Sequence, residues 1–280
     1  MKKIAIGFIC FTLGIASTAA ACRFWVAVSQ HIPQDTFVHQ LLDEPNSLKI
    51  LGSTYSDGWS VGYYESGVPM ISRGVWPAGV DEHFNRSVMD VAQMEPKIAF
   101  GHLRRASSGC KEGVPNPHPF ERIEDKKTWI FGHNGSINKD LLIELIGKDF
   151  LEENPPQVCT QNPPDTWIDS ELYFIFILKN IEENGWDVIP GLQKAIRTLT
   201  QRDKDQKQIL NFFLSDGEQV WVFRKGETLF YYRDKKSGTS IVSSAPSSPD
   251  DKNWEAFPED TLGVLTPGKE IQFLPLEPKG

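Results

Sequence analysis

The residue whose type and position first suggest chemistry is Cys22, in the stretch "ASTAAACRFWVAVSQ" (residues 16–30). A cysteine that begins a chain carries its own general base. Its α-amine, with a pKa of about 8, lies within reach of its own thiol, directly or through one water, and can take the thiol proton near neutral pH. The resulting thiolate attacks acyl groups well. No distant histidine is then required, and none of the six histidines sits in a Cys/His protease signature. Acyl transfer also needs donors aimed at the developing oxyanion. The segment "FGHNGSI" offers His133, Asn134 and Gly135, where an asparagine amide and a glycine backbone N–H can converge. In "FGHLRRAS", Arg104 stands at a strand end, where a guanidinium can hold a carboxylate bidentately. In "WIDSELY", Asp169 stands at a helix start, where a carboxylate can pair with a substrate ammonium.

Each of these residues also has a simpler reading. An Asn-Gly pair is most often a tight turn. A strand-end arginine is commonly a solvated charge, and an aspartate at a helix start is commonly an N-cap. Cys22 can be a lipid-attachment site, since bacterial lipoproteins also begin at a processed cysteine; acylation would consume both thiol and amine. Cys10 falls before Cys22, which leaves Cys110 and Cys159. In an oxidising compartment these two can pair as a disulfide, or they can remain two free thiols.

The elements that must position these residues follow from pattern. "CRFWVAVSQ" (22–30) reads as a strand that begins at once. Residues 36–51 read as helical or irregular. "DGWSVGYYES" (57–66) is a turn entering a strand, "MISRGVW" continues the extended pattern, and "KIAFGHLRRAS" (97–107) is a buried strand with a charged end. Residues 108–121 read as a Gly/Pro-rich loop. "TWIFGHNGSI" (128–137) reads as a strand running into an Asn-Gly turn, and "NKDLLIELIG" as an amphipathic helix. A second Pro-rich loop covers 152–166. The helix "DSELYFIFILKNIEENG" (169–185) has Asp169 and Ser170 as natural caps and Gly185 as its close. A further helix, "VIPGLQKAIRTLTQ", precedes the short strands "ILNFFLSD", "QVWVFRKG", "TLFYYRD", "TSIVSSAP" and "EIQFLP", with hairpin turns such as Asp216-Gly217 between them. That order predicts an α+β layered architecture with mainly antiparallel sheets.

The chain has 280 residues, 40% hydrophobic and 24% charged, enough for a substantial core. Its net charge of −8, with no long basic run, argues against nucleic acid as a partner. The first residues have the order of an export signal: Lys2 and Lys3, then the uncharged run "IAIGFICFTLGIA" (4–16), then "STAAA". The apolar run is too short for a comfortable membrane span. Ala19 and Ala21 fit the −3 and −1 positions of a cleavage site before Cys22. The expectation is a signal peptide at 1–21 and one domain at 22–280. The chain would be exported to the periplasm or secreted, meeting a membrane only during export. No metal-ligand spacing, dinucleotide loop or P-loop is visible, so no cofactor is expected. Nothing in the sequence assigns an oligomeric state.

Taken together, the segments "CRFW", "DGWSVGYY", "GHLRRAS", "NPHPF", "WIFGHNGSI", "DSELYF" and "IVSSAP" resemble, in order, those of the class II glutamine amidotransferases, N-terminal-nucleophile hydrolases. The resemblance covers most of residues 22–246. "DGW", "HPF" and "HNG" point to the stand-alone branch, which includes enzymes similar to the ergothioneine-pathway amidohydrolase that cleaves a γ-glutamyl amide. The resemblance implies a four-layer αββα sandwich. It implies Cys22 as nucleophile with its own amine as base, and Asn134 and Gly135 as the oxyanion hole. Arg104 would hold the α-carboxylate of glutamine and Asp169 its α-amino group. His133 would stand among the substrate-binding residues and His118 in a matching motif, both as hydrogen-bonding neighbours more than catalysts. Two departures accompany it. The family's cysteine normally follows the initiator methionine, whereas Cys22 follows an apparent signal. The short segment after residue 250 leaves no room for a synthase domain that would use ammonia. The expected substrate is therefore a small molecule, glutamine or a γ-glutamyl compound, cleaved by hydrolysis. Two alternatives remain at this stage: a lipid-anchored, inactive binding protein acylated at Cys22, and an N-terminal-cysteine hydrolase of other amides.

Overall fold

A computed structural model describes residues 22–106, 115–116, 118–202 and 208–276. The proposed signal segment and Cys110 lie outside the described residues. The strands are β1 (Arg23–Val28), β2 (Trp59–Glu65), β3 (Val68–Gly74), β4 (Ile98–Leu103), β5 (Phe120–Glu124), β6 (Lys127–Ser136), β7 (Ile209–Ser215), β8 (Val220–Arg224), β9 (Phe230–Asp234), β10 (Thr239–Ser243), β11 (Glu255–Ala256), β12 (Thr261–Leu265) and β13 (Gln272–Pro275). The helices are α1 (Gln34–Val38), continued by a π-helical turn at His39–Asp43, α2 (Leu48–Leu51), α3 (Glu82–Gln93), α4 (Lys139–Ile146), α5 (Lys148–Glu153), α6 (Asp169–Glu183) and α7 (Val188–Arg202).

The strands form two sheets, in the orders β11-β9-β10-β1-β4-β2-β3 and β13-β12-β8-β7-β6-β5. Every pairing is antiparallel. Side chains alternate along a strand, so each strand feeds two faces. In β1, Phe24, Val26 and Val28 point between the sheets, where they meet Phe100 of β4 and Ile130, Phe213, Val220 and Val222 of the second sheet. Trp25 and Ala27 point the other way, into a cluster with Phe37, Leu41, Phe84 and Val88 of the α1–α3 region. On the far side of the second sheet, Phe131, Phe212 and Leu214 pack under Leu172, Phe174 and Ile177 of α6 and Leu192 and Ile196 of α7. Three separate apolar layers between four layers of elements make this the αββα sandwich that the sequence resemblance implied.

Sequence expectation and structure differ at several places. Residues 134–135 are not a turn: β6 continues through them, with Asn134 opposite Asn211 and Gly135 opposite Leu210. The reason is close approach. A Cβ on Gly135 would overlap the Ile209 carbonyl and the His133 ring, so glycine is needed here to keep a ladder tight rather than to bend it. Part of the loop expected at 108–121 is the start of β5. Helix α3 was not anticipated, although Phe84, Val88, Val91 and Ala92 lie at helical spacing and Asp81 caps the helix through His83 N. Strand β12 is likewise new; Gly263 in its middle dilutes a short apolar run. The Asp216–Gly217 hairpin turn stands as expected. Asp216 Oδ1 accepts from Glu218 N and Gln219 N, and Gly217 takes φ 86°.

Candidate active site

The register of β1 against β4 pairs Arg23 with Leu103, so the next pair outward sets Cys22 opposite Arg104. Backbone bonds carry the sheet past its formal ends: Arg104 N donates to Gly58 O and Asp57 N to Arg104 O. On the other side of β1, Ser244 N donates to Phe24 O. Alternation then decides direction. Cys22 shares its face with Phe24 and Val26, Arg104 with His102 and Phe100, Ser244 with Val242, and Asn134 with Ile130. These even-numbered residues face the space between the sheets, at one end of the sandwich. His133 is odd and faces α6 instead.

Cys22 is buried. Its Sγ accepts from Arg105 N at 3.4 Å and faces Arg105 O at 3.7 Å. Burial pushes the thiol up to about 11, opposed by the Arg105 backbone bond and by the Arg104 charge; the Asp169 carboxylate adds to the rise. Cys22, Arg104 and Asp169 therefore share one local field. A thiol held this high is not ionised near neutral pH and needs a base beside it to attack anything.

Arg104 is buried, and its charge is disfavoured by burial while the Cys22 thiolate, when formed, and Asp57 favour it. Asp57 also accepts from Ala106 N at 2.7 Å, tying down the chain that follows Arg104. Asp169 is the first residue of α6, but it does not cap the helix. Its Oδ2 accepts from Ile137 N at 3.0 Å, which joins the helix start to the end of β6. Ser170 does not cap either: its Oγ lies 2.8 Å from His133 Nδ1. The expected capping roles are thus replaced by contacts across layers, because both side chains turn toward the sheet instead of along the helix.

Asn134 is fully buried. Its Nδ2 donates to Ser244 Oγ at 3.1 Å, and the same Oγ accepts from Phe24 N at 3.0 Å. Asn134 is thereby joined to the strand that begins at Cys22. An amide nitrogen carries two protons, and the second has no protein acceptor among the described residues. A substrate oxygen is the kind of group that could take it. Gly135 follows it in the ladder. Neighbouring His133 has both ring nitrogens engaged: Nε2 lies 2.9 Å from the Ile209 carbonyl, which can only accept, so Nε2 bears the proton and Nδ1 accepts from Ser170. Burial lowers its basicity, in keeping with a neutral ring.

Reasoning from sequence did not single out His102, Asn116, Ser170 as a partner of His133, or Ser244. All four sit inside motifs quoted above, "GHLRRAS", "NPHPF", "DSELYF" and "IVSSAP", and that is the signal the sequence offers. His118 stacks on His102, with ring centroids 4.2 Å apart and planes 13° apart. Cys159 lies elsewhere and is disulfide-bonded. It follows Gln157 and Val158, whose N–H groups the buried Glu171 carboxylate accepts at 2.6 and 3.1 Å. Among the described residues no three His, Cys, Asp or Glu side chains gather as a metal site would need, and no helix is long and apolar enough to cross a membrane.

Comparison with known proteins supplies a frame for this geometry. Residues 47–238 match the family model for class II glutamine amidotransferases, a match that begins downstream of Cys22. Two relatives carry the provisional name glutamine amidotransferase. The one from Haemophilus influenzae is 24% identical over 199 residues, covering 67% of this chain and 58% of that protein. The one from Escherichia coli is 26% identical over 175 residues, covering 60% of each. The chain thus spans less than two thirds of either relative. A solved glutamine aminotransferase class-II domain protein from Silicibacter pomeroyi aligns with a TM-score of 0.60 at 17% identity, covering 92% of this chain and all of that one. At that identity the likeness speaks for the fold.

Proposed function

The chain belongs to the class II glutamine amidotransferases, and from that premise we propose that it is an exported, stand-alone hydrolase of glutamine or of a small γ-glutamyl amide, with Cys22 as the first residue of the mature enzyme. The observation that carries this reading is the meeting of Cys22, Arg104 and Asp169 in one field, with Asn134 joined to the Cys22 strand through Ser244.

In this mechanism Arg104 takes the substrate α-carboxylate and Asp169 its ammonium. The Cys22 Sγ attacks the γ-carbonyl carbon while the Cys22 amine receives the thiol proton. The carbonyl oxygen becomes an oxyanion, taken by the second Asn134 amide proton and the Gly135 backbone N–H. Collapse of the intermediate breaks the C–N bond, and the amine-held proton goes to the departing ammonia or amine. Water then attacks the thioester, glutamate leaves, and the thiol and free amine are restored. A thiol pushed up to about 11 by burial suits this scheme, because it stays protonated until a substrate and a local base are both present.

Export enters the proposal through the "AAACRFW" junction: cleavage after Ala21 would place thiol and amine on one residue. Two measurements test the reading together. The intact mass of the mature protein should begin at unmodified Cys22; added acyl chains would mean an anchored, inactive protein instead. Cys22→Ala should abolish glutamate release from glutamine while the circular dichroism spectrum is preserved. Full activity in that variant would remove Cys22 as the nucleophile. Comparing glutamine, γ-glutamyl peptides and simple acyl amides would then assign the leaving group.

A further inference from the structure

The site rests on a polar bridge between the two sheets that no step above uses. His102, on β4 of the first sheet, places Nε2 3.2 Å from the carbonyl of His133, on β6 of the second. That carbonyl belongs to the peptide group joining His133 to Asn134. We propose that His102, locked by Asn116, is a positioning residue that fixes the aim of the Asn134 amide. This rests on the oxyanion role given to Asn134 above.

Four observations carry the inference. A carbonyl oxygen only accepts, so His102 Nε2 bears the proton. Asn116 Nδ2 lies 3.0 Å from His102 Nδ1 and 3.1 Å from His102 O, and its Oδ1 accepts from His118 N at 3.0 Å. With its oxygen committed to His118 N, Asn116 can offer only N–H to the ring. His102 Nδ1 is therefore a bare acceptor, and one tautomer alone satisfies every contact. Third, the ring cannot swing away. His118 stacks on one face and the whole group is buried, with His102 and Asn116 at 0% exposure. Fourth, Asn134 needs such support. Among the described residues its side chain has one hydrogen-bond partner, Ser244, while its Oδ1 is buried with none. An amide held at one atom can rotate unless the backbone beneath it is fixed.

The geometry also explains why the device is a histidine. The bridge must span from one sheet to the other, end in an N–H, and add no second positive charge beside the buried Arg104. A neutral imidazole meets all three demands, and burial holds this ring's basicity down to about 3. Lysine or arginine would bring a charge, and asparagine would not reach.

The test uses the mature enzyme with glutamine as substrate. His102→Gln keeps an N–H at nearly the Nε2 position, whereas His102→Asn keeps polarity and falls short. His102→Asn is expected to lower kcat ~10- to 100-fold with KM almost unchanged, a part of the ~100- to 1,000-fold that loss of an oxyanion donor costs. His102→Gln should recover most of that loss. In an Asn134→Ala background, His102→Asn should have little further effect, because its influence passes through Asn134. In parallel, nitrogen NMR should find His102 protonated at Nε2 only, and the Asn134 side-chain amide signal should move in His102→Asn. Full multiplicative losses in the double variant, or kcat within twofold of wild type in His102→Asn, would overturn the inference. If the wild type releases no glutamate, the proposed function falls, and the NMR measurements still decide: an unmoved Asn134 amide signal rejects the positioning role.

Discussion

At the scale of single residues, the site depends on which atoms are left over after the protein has bonded to itself. Asn134 donates one amide proton inward and keeps one, while His133 keeps none. The two neighbours therefore have different uses despite standing side by side in "HNG". Gly135 adds a steric condition. Gly135→Ala would drive a methyl group into the Ile209 carbonyl and the His133 ring, so β6 and β7 must separate locally. A loss of about 1–3 kcal/mol in urea unfolding is expected, with kcat falling more than stability does; an unaffected kcat would show that the strand edge is more pliable than its spacing suggests. Cys22 gives a second prediction. In a chain that still carries residues 1–21, the amine is tied in a peptide bond and burial holds the thiol up at about 11. Iodoacetamide should then modify Cys22 slowly at pH 7.5, with the rate still climbing at pH 10. Rapid alkylation at neutral pH would mean the thiol ionises without its amine.

At the scale of elements, Glu171 shows how one side chain organises a neighbourhood. Both carboxylate oxygens accept backbone N–H groups of the Pro-rich loop, and Arg122 stands 4.0 Å away with its own bond to Pro155 O. Glu171→Gln would replace one accepting oxygen by a donating NH2 facing an N–H. Hydrogen exchange at Gln157 and Val158 should speed up by an order of magnitude or more, roughly the ~1–3 kcal/mol of a buried donor left unmatched. Protection equal to wild type would assign the loop's order to other contacts. Much of the element pattern was legible beforehand. β-Branched and aromatic content marked β1, the apolar run of "KIAFGHL" marked β4, and Asp169, Ser170 and Gly185 bounded α6. What escaped had physical reasons. Phe84, Val88, Val91 and Ala92 of α3 are separated by polar residues and follow the Pro77–Gly79 stretch, so the apolar stripe is diluted in the sequence. "HNG" carries turn chemistry, and only the partner strand shows that its glycine serves close approach. Asp169 and Ser170 have ideal capping identities, but a carboxylate and a hydroxyl near a sheet find stronger claims there. Which residues face one another across the sheets depends on pairing register, which one sequence does not display.

At the scale of the molecule, three buried histidines link stability to pH. His102, His118 and His133 are all less basic than a free histidine, chiefly because burial disfavours their charged forms. The folded state therefore binds fewer protons than the unfolded chain below about pH 6.5. Unfolding takes up protons there, so stability is full above that range and falls as pH drops through it. Glu171 is raised by burial and acts in the opposite sense just above the usual glutamate range, which softens the slope only at more acid pH. The urea midpoint should drop clearly from pH 7.5 to 5.5. A flat profile would mean that the histidines do not stay neutral. The core between the sheets is the other global support. Phe213 touches Phe24 and Phe100, and Phe213→Ala should cost about 3–5 kcal/mol.

The place of β1 in its sheet has a consequence for the order of events in the life of the chain. The strand that starts at Cys22 is not at an edge; it is inserted between β4 and β10. One of its partners, Ser244, lies 220 residues away from Phe24. At ordinary synthesis rates that separation is roughly 10–45 s of translation. Throughout that interval the first strand has no completed slot to occupy, and its leading residues stay open to whatever cuts or modifies them. The residues made late are the ones that seal the first strand, so β1 can be enclosed on both sides only after β10 and Ser244 have been synthesised.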